Sequence, residues 1–496
     1  MTLRDLLPSL SPDAGLGLEV RSLAYNSQRV ESGAVFFAIQ GENSDGHHFV
    51  PQALEHGAVA VVSERPAPPA LEVPWVQVPK IRRALSDAAR AFYGHPERAL
   101  RLLGITGTNG KTTTAYLIES ILRAAGLGVG LFGTIEYHVA GKTLPAPNTT
   151  PESLDLASCL VDLRDAGDSI AVMEVSSHAL AQERVWGFPF TAAIFTNLTR
   201  DHLDYHLTME DYFRAKRRLF EGLGTPPPAL AVINMDDPWG RRLIESSSSR
   251  MVTFGSGSEA EVHPKRFSGD ANGLKAAVVT PQGPLEIVSP LVGRPNLMNI
   301  LGAVAATQSL GISAESIQQG VAGPQSVPGR FERVEAGQPF LVVVDYAHTD
   351  DALRSVLATA REFARGRLIV VFGCGGDRDR SKRALMGQAA GSLADLVVLT
   401  SDNPRSEDPL MIMNDALVGL QRTGRPYVLE VDRAAAIHRA LERARAGDIV
   451  VIAGKGHETY QILNDRTIPF DDRRIARQVL EELGYESAAR RSQPTE

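Results

Sequence analysis

The residues best suited to chemistry lie in one glycine-rich stretch, residues 101–114, which reads RLLGITGTNGKTTT. A short apolar run ends there at glycines whose backbone N–H groups can turn towards an anion, and Lys111 adds a positive charge. The stretch fits T-G-T-N-G-K-T more closely than the general G-x-x-x-x-G-K-[ST] pattern. It predicts a phosphate-binding loop for ATP, in which a threonine hydroxyl can hold Mg²⁺. The residues assigned to this loop are Gly107, Thr108, Asn109, Gly110, Lys111, Thr112 and Thr113.

Two polar clusters follow apolar runs that are typical of buried strands. Glu174 lies in the run 169–175, and His202 follows the run 192–197. Ligands collect at the carboxyl ends of strands in open α/β sheets, so the two clusters favour a metal and phosphate site beside the loop. One such residue alone is more often structural. Two further segments that could border a nucleotide base are 234–238 and 293–299.

A third set of polar loops lies in the last part of the chain. From residue 340 apolar runs alternate with helical spacers, as in a smaller doubly wound βαβ unit. Four polar loops each follow a predicted strand, at 345–348, 373–378, 402–405 and 454–458. Their common placement favours one composite site over four unrelated turns.

The elements that position these loops predict an α/β fold of three domains. A chain of 496 residues is too long for one ordinary core. We expect a small α/β domain over 1–98, a central ATP-binding domain over 99–328 and a Rossmann-like domain over 329–496. The central domain should hold a P-loop ATPase-type parallel or mixed sheet. Within the first domain, the polar loops 26–29 and 41–48 could hold a ribose, a pyrophosphate or a uracil, although solvated turns are the simpler reading of the loops alone.

Composition excludes several classes of protein. Hydrophobic residues make up 43% of the chain and charged residues 22%, so each domain can bury a core without metals or disulfides. The two cysteines form no metal or disulfide framework, and the net charge of −7 gives no sign of a nucleic-acid-binding surface. The N-terminus lacks a signal-peptide core, and no apolar run is long enough to span a bilayer. We therefore expect a cytoplasmic protein that binds neither nucleic acid nor membrane, and whose last residues, 485–496, are polar and frayed.

A series of motifs in fixed order covers nearly the whole chain and resembles the Mur ligases of peptidoglycan synthesis. The motifs are TGTNGKTTT, NTTPES, MEVSSHAL, TNLTRDHLDYH, YFRAKRRLF, PGRFE, DYAHT, FGCGGDRDRSKR, SDNPRSEDP and AGKGHETYQ.

The resemblance implies an ATP-dependent amide ligase that acts as a monomer. It would add the third stem-peptide residue to UDP-N-acetylmuramoyl-L-alanyl-D-glutamate through an acyl phosphate. A diamino acid would be the second substrate. The D-N-P-R quartet at 402–405 favours meso-2,6-diaminopimelate, because Arg405 can bind a distal carboxylate with two hydrogen bonds.

The resemblance also implies roles for individual residues. The catalytic residues would be Lys111, His202 and a carbamylated Lys216, and Thr112, Glu174, His202 and Lys216 would be the Mg²⁺ ligands. The remaining ATP contacts would be Asn234, Asp236, Asn296, Arg330, Asp345 and His348. The muramoyl dipeptide nucleotide would meet Ser27, His47, Asn148, Thr149, Thr150, Ser176, Gln182 and Arg184. The amino acid would meet Arg378, Asp402, Asn403, Pro404, Arg405, Gly454 and Glu458.

Alternatives remain open on the sequence alone. The same ligation could use L-lysine or L-ornithine. A folylpolyglutamate-type ligase shares the phosphate-loop chemistry, but it would leave the uridine domain without a purpose. A nucleotide-dependent switch would not need the arginine and Gly-Lys-Gly-His-Glu loops. The sequence departs from the family pattern at Gln28, Pro295 and Asp350.

Overall fold

A computed structural model describes residues 1–7, 17–41, 44–69, 73–323, 326–464 and 466–485. Residues 42–43 of the predicted uridine loop, and all but the first residue of the polar tail 485–496, lie outside these ranges. The predicted α/β class is confirmed, because separate sheets occupy the first, central and last parts of the chain, each packed against helices.

The N-terminal unit is a four-stranded parallel sheet in the order β1-β2-β3-β4. All four residues of its second strand are buried, which explains why an unbroken apolar run forms there. Its elements are α1 (Leu3–Leu6), β1 (Ser22–Ala24), β2 (Ala34–Phe37), α2 (Val50–Glu55), β3 (Ala58–Ser63), β4 (Trp75–Gln77) and α3 (Ile81–Phe92), with 3₁₀ turns at Ser27–Arg29, Gly46–Phe49 and Pro96–Arg98.

The central unit contains an eight-stranded mixed sheet and a separate three-stranded antiparallel sheet. Its first elements are β5 (Arg101–Thr106), α4 (Lys111–Ala124), β6 (Val129–Phe132), β7 (Glu136–Val139), β8 (Lys142–Pro145), α5 (Ser153–Asp165), β9 (Ile170–Glu174), α6 (Ser177–Ala181), β10 (Phe190–Phe195), α7 (Leu203–His206) and α8 (Met209–Glu221). They are followed by β11 (Leu230–Asn234), α9 (Pro238–Ser246), β12 (Arg250–Phe254), β13 (His263–Asp270), β14 (Gly273–Val279), β15 (Leu285–Ser289), α10 (Gly293–Ser309) and α11 (Ala314–Ala322).

Strand order brings the polar clusters of the central unit together. The large sheet runs β12-β11-β10-β5-β9-β6-β7-β8, so β5 lies between β10 and β9. Parallel pairing sets Ile105 beside Glu174 and Thr106 beside Phe195. The phosphate loop and the two clusters therefore leave the same edge of the sheet, as the apolar runs predict.

The C-terminal unit is doubly wound, with a buried apolar core on each face of a six-stranded sheet. The sheet order is β16-β17-β21-β18-β19-β20, and β16 is antiparallel to its neighbour. Its elements are β16 (Glu332–Arg333), β17 (Leu341–Asp345), α12 (Asp350–Phe363), β18 (Leu368–Phe372), α13 (Ser381–Leu393), β19 (Leu396–Leu399), α14 (Pro409–Gln421), β20 (Tyr427–Leu429), α15 (Arg433–Glu442), β21 (Ile449–Ala453), β22 (Tyr460–Leu463), β23 (Arg466–Pro469) and α16 (Asp472–Glu482).

A fully buried ion pair fastens the helices of the C-terminal unit to its strand ends. Both side chains of the pair Arg433–Asp472 have no exposed surface, and Arg433 donates to Asp472 through Nε at 2.8 Å and Nη2 at 2.7 Å. Arg433 also donates to the carbonyls of Ser401 and Ala453, just beyond β19 and at the end of β21. The buried guanidinium of Arg433 therefore anchors the start of two predicted site loops, those after β19 and β21.

We predict that Asp472→Ala lowers the opening free energy of the C-terminal unit by about 3–5 kcal/mol, because it leaves a buried guanidinium without its carboxylate. Hydrogen exchange of the α15 and α16 amides in the full chain measures this loss. Asp165→Ala, which removes a mostly exposed partner of Arg164, is the matched control and should leave the same amides unchanged. Equal protection in the two variants would contradict the assignment.

Candidate active site

A cleft of about 550 Å³ lies between the carboxyl edge of the large central sheet and the C-terminal unit. Most of the residues predicted to bind phosphate, metal or nucleotide line this cleft. The predicted residues that line it are Thr108, Asn109, Gly110, Lys111, Thr112, Thr113, Thr149, Glu174, Ser176, His202, Asn234, Asn296, Arg330, Asp345 and His348. Gly107, Asp236 and Lys216 do not line it, and neither do the amino-acid residues of the C-terminal unit.

A half-buried lysine, Lys111, and a buried one, Lys216, share one backbone carbonyl in the phosphate loop. Lys111 Nζ donates to Gly107 O at 2.9 Å and to Thr108 O at 2.9 Å, while Lys216 Nζ donates to Gly107 O at 2.7 Å. Burial lowers the pKa of both amines, and the charge of Lys111 lowers that of Lys216 further. The pair therefore favours a neutral Lys216 amine, whose lone pair is free to react.

Glu174 and Thr112 form an oxygen-rich corner beside the loop. Glu174 is fully buried at the end of β9, and its Oε2 accepts from Thr112 Oγ1 at 3.0 Å. Thr134 donates to the same carboxylate through its N–H at 2.8 Å and its hydroxyl at 3.0 Å. No cluster of three His, Cys, Asp or Glu side chains suited to a metal occurs among the described residues. A carboxylate and a hydroxyl fit Mg²⁺, which takes its other ligands from phosphate and water.

His202 sits in a strained turn at the edge of the cleft. Its backbone is left-handed, with φ of 54°, at the start of α7, and its side chain is 38% exposed. Burial is the main reason that its pKa lies below the usual histidine value. A non-glycine residue held in this conformation is typical of functional turns.

Three hydrogen bonds hold the C-terminal unit against the central unit, two of them at the phosphate loop. Arg330 Nη2 donates to Thr112 Oγ1 at 3.2 Å, and Asn109 Nδ2 donates to Asp351 Oδ2 at 3.0 Å. Arg200, in the loop after β10, donates to Ser381 at the start of α13. The cleft is therefore built from both units.

The residues predicted to border the nucleotide are held by backbone partners. Asn234 Nδ2 donates to Thr196 O at 2.7 Å, and Asn296 Nδ2 donates to Val292 O at 2.8 Å. Asp345 accepts from two backbone N–H groups, and burial raises its pKa. His348 Nδ1 lies 2.9 Å from Tyr346 O. Asp236 instead accepts from Ser256 N at 2.7 Å outside the cleft, so its predicted nucleotide contact stays a prediction.

The central residues predicted for the muramoyl dipeptide form one connected set next to Glu174. Thr150 Oγ1 donates to Glu174 O at 2.8 Å and accepts from Ser176 N at 3.0 Å. Arg184 donates to Thr150 O at 3.1 Å and, through two nitrogens, to Gln182 Oε1. The other two members are Thr149, whose hydroxyl lies 3.2 Å from that of Thr134, and Asn148, whose carbonyl accepts from Tyr137.

Ser27 and His47 lie apart from the cleft, in the N-terminal unit. Ser27 is buried, and its hydroxyl donates to Gln52 Oε1 at 2.7 Å. Both ring nitrogens of His47 are occupied, Nδ1 by Asp45 at 2.6 Å and Nε2 by Ser63 Oγ at 2.7 Å. Their role in nucleotide binding stays a prediction.

The predicted amino-acid residues gather at the ends of β18, β19 and β21. Arg405 has a left-handed backbone, with φ of 54°, and its Nη1 donates to Gly376 O at 2.8 Å. Asn403 Nδ2 donates to Glu458 Oε2 at 2.9 Å, and Gly454 N donates to Asp345 O at 3.0 Å. That last bond joins this cluster to the nucleotide side of the cleft. The remaining members are Arg378, which is exposed, and Asp402 and Pro404, which are buried.

Comparison with known proteins identifies the family. Sequence profiles for "Mur ligase family, catalytic domain", "Mur ligase middle domain" and "Mur ligase, glutamate ligase domain" match residues 19–93, 105–307 and 329–456. A protein of Solibacter usitatus named UDP-N-acetylmuramoyl-L-alanyl-D-glutamate–2,6-diaminopimelate ligase is 56% identical, with 97% of each chain covered.

The chain belongs to the Mur ligase family. A protein of Geobacter metallireducens with the same name is 46% identical to this Mur ligase over 97% of the chain and 99% of the relative. A solved structure of an enzyme of that name is 34% identical, covers 98% of this Mur ligase and 99% of its own chain, and superposes with a TM-score of 0.67.

Sequence reasoning missed several residues that hold the site of this Mur ligase together. Thr134, Asp351 and Arg433 are examples, since each acts through a contact between segments far apart in the chain. Lys455 was visible in the Gly-Lys-Gly-His-Glu loop, but its buried contacts were not. No helix in the described ranges is long and apolar enough to cross a membrane.

We predict that Gly107→Ala disrupts the phosphate loop of this Mur ligase. Gly107 has φ of 150°, and an added methyl group would overlap Thr196 Oγ1 and lie 3.1 Å from the backbone of Asn197. We expect a loss of about 1–3 kcal/mol in stability by thermal unfolding, together with weaker binding of a nucleoside triphosphate by calorimetry. Gly126→Ala is the control, because its φ is +75° but nothing lies within 4 Å of the new methyl group. Equal triphosphate affinity in both variants would refute the prediction.

Proposed function

We propose that this Mur ligase joins meso-2,6-diaminopimelate to UDP-N-acetylmuramoyl-L-alanyl-D-glutamate, with ATP as the energy source. The observation that carries the proposal is that the loops predicted to bind the amino acid lie beside the cleft that holds the phosphate loop. Arg330 donates to Thr112 and Asn109 donates to Asp351, so the C-terminal unit lies directly against the phosphate loop. Within the C-terminal unit, Gly454 of the predicted amino-acid loops donates to the carbonyl of Asp345, a residue that lines the cleft. The names of the relatives at 56% and 46% identity supply the substrates.

The reaction follows from the poor electrophilicity of a carboxylate. The γ-phosphoryl group of ATP passes to the free carboxylate of the D-glutamyl residue, which gives an acyl phosphate and ADP. The amine of the incoming amino acid then attacks the acyl carbon, an amide forms, and phosphate leaves with the electron pair of the broken C–O bond. Lys111, whose amine donates to two backbone carbonyls of the loop, would spread the charge of the transferring group.

The remaining assignments are proposals of the same kind. Residues 1–98 would bind the uridine part, with Ser27 and His47 among the contacts, and residues 99–328 and 329–496 would bind ATP and the amino acid. Thr150, Ser176 and Arg184 would hold the dipeptide close to Glu174. Arg330 and His348 would reach ATP from the C-terminal side. Glu174, Thr112 and His202 would hold Mg²⁺, which neutralises phosphate charge when bound.

Lys216 is proposed to be carbamylated. A neutral amine attacks CO₂, forms an N–C bond and releases one proton, which turns the side chain into an anion. The shared Gly107 carbonyl supports this, because two ammonium groups on one buried oxygen repel each other, and the reaction replaces one of the two cations. The anion would help to position the metal at the γ-phosphate. An ordinary buried lysine that braces the loop is the alternative.

We predict that Lys216→Ala is nearly inactive and that formate or acetate partly restores its activity, because a small carboxylate can fill the vacated space. Lys216→Arg keeps the positive charge and should stay inactive with or without the acid. Amide formation in each variant, followed across a titration of acetate, is the measurement. Near-normal activity of Lys216→Ala without added acid would rule out the carbamate.

The preference of the enzyme for one amino acid substrate would depend on the guanidinium group of Arg405. Diaminopimelate carries a distal carboxylate as well as a distal amine, whereas lysine and ornithine carry only the amine. With Nη1 held by Gly376 O, the rest of the Arg405 fork is left for a carboxylate. The strained backbone of Arg405 is an energetic cost that favours a specific role over a simple loop contact.

We predict that the unmutated protein forms amide with meso-diaminopimelate in preference to L-lysine or L-ornithine, with phosphate release dependent on both substrates. Arg405→Ala should lose about 2–5 kcal/mol of that preference, because a desolvated carboxylate would be left unpaired. Arg422→Ala removes an exposed arginine of the same unit and serves as the control. If lysine or ornithine is the better substrate of the unmutated protein, the Arg405 argument is wrong, although the ligase proposal survives.

A further inference from the structure

One lysine of the C-terminal unit is buried among anions and has no place in the reaction described above. Lys455 follows β21 and has no exposed surface. Its Nζ donates to Asn403 Oδ1 at 2.8 Å and to Glu458 Oε2 at 3.1 Å, and it lies 3.5 Å from Asp402 Oδ1. One ammonium group therefore touches three residues that sequence analysis assigns to the amino acid.

The contacts of Lys455 fix the orientation of the Asn403 amide. An ammonium group only donates, so Oδ1 of Asn403 must face it. The same oxygen accepts from Ile462 N at 3.0 Å, and Nδ2 donates to Glu458 Oε2 at 2.9 Å. Both ends of the Asn403 amide are thus hydrogen-bonded within the protein, and the amide helps to fix the position of Glu458.

Two carboxylates contact the single ammonium group of Lys455, those of Asp402 and Glu458. Of the two guanidinium groups that act on these carboxylates through their charge, Arg433 is paired with Asp472 and Arg405 donates to the carbonyl of Gly376. Both donors to Glu458 use Oε2. Within the described part of the chain no hydrogen bond reaches Glu458 Oε1, and the side chain is 15% exposed. A partly exposed carboxylate oxygen is suited to a ligand ammonium group.

We propose that Lys455 is the positioning residue that sets the charge of the diamino-acid site, holding Glu458 ionised and aimed so that it can accept the distal ammonium group of the substrate. The inference rests on the proposed function, since it assumes that a diamino acid binds at these loops. Without the cation, the neighbouring carboxylates of Asp402 and Glu458 repel each other, which favours the uptake of a proton by one of them. A protonated Glu458 no longer attracts an ammonium group.

Charged and titratable groups from several elements act on Glu458. Burial, and then the charge of Asp402, raise the pKa of Glu458, whereas Lys455 and Asn403 oppose that rise. The other titratable groups that act on it are Tyr346 in the loop after β17, Arg405 in the loop after β19, Arg433 at the start of α15 and Tyr460 at the start of β22. Among the cations in the described ranges, Lys455 is the one that donates a hydrogen bond to Glu458.

The test is the KM of the full-length enzyme for the diamino acid. Lys455→Met should raise that KM by about 10- to 100-fold at about pH 6.5, the usual effect of losing a charge-assisted hydrogen bond. The KM values for ATP and for the UDP-muramoyl dipeptide should stay within about twofold, and Lys275→Met, which changes an exposed lysine, should change none of the three. A rise in all three constants, or in none, would overturn the proposal.

The pH dependence separates charge control from simple bracing. As the pH rises from about 6.5 to about 8.5, the carboxylate pair in Lys455→Met loses its extra proton, so the ratio of variant to unmutated KM should fall by about 10-fold. A lysine that only braces the loops would give a ratio that does not change with pH. A constant ratio therefore overturns the proposal.

A double-mutant cycle keeps the test valid if Lys455→Met folds poorly. Glu458→Gln removes the charge that Lys455 is proposed to maintain. Replacing both partners is better tolerated than leaving one buried charge without its partner. Lys455→Met should then add less than about threefold to KM on the Glu458→Gln background. Additive effects would refute the proposal.

Failure of the proposed function has a different signature. It appears as absence of amide formation with diaminopimelate by the unmutated enzyme. If L-lysine is the substrate instead, the same cycle run with L-lysine still tests Lys455, because that substrate also carries a distal ammonium group.

Discussion

A buried ammonium or guanidinium group has to be compensated, and the way this protein compensates its buried cations sets the chemistry of each unit. In the phosphate loop, Lys111 and Lys216 both donate to Gly107 O, and the Lys216 ammonium group also lies 4.5 Å from the centre of the Tyr212 ring. In the C-terminal unit, Lys455 faces two carboxylates. The first arrangement places the Lys111 ammonium group beside the loop and is suited to phosphate. The second leaves the partly exposed carboxylate of Glu458 at the surface of the site and is suited to an ammonium group.

These two arrangements can act on the same reaction only if the central and C-terminal units lie in contact. The bonds from Arg330 to Thr112 and from Asn109 to Asp351 place the C-terminal unit directly on the phosphate loop. Arg330 lies just before β16, so the segment that connects the two units also supplies a side chain to the cleft.

Much of the scaffold could be predicted from sequence, because long apolar runs such as 368–372 form strands whatever surrounds them. The hairpins β7–β8 and β22–β23 could not, since their short strands carry mixed polar residues and are stabilised by partners far along the chain, such as the bond from Ile462 N to Asn403. At the site, strand-end motifs predicted which loops meet. They could not predict the left-handed backbone of Arg405 or the burial of Lys455, which depend on tertiary packing.

Under the proposed function, the charge pattern also explains how an enzyme could distinguish two chemically similar amines of one substrate. Diaminopimelate carries two α-amino groups, and only a neutral amine can attack an acyl phosphate. An amine beside Glu458 and Asp402 would be held as ammonium, because neighbouring carboxylates favour the charged form. An amine on the side of Arg330 and Lys111 would meet positive charge and burial, both of which favour the neutral form. The same electrostatics that binds one end of the substrate would therefore keep it unreactive while it activates the other end.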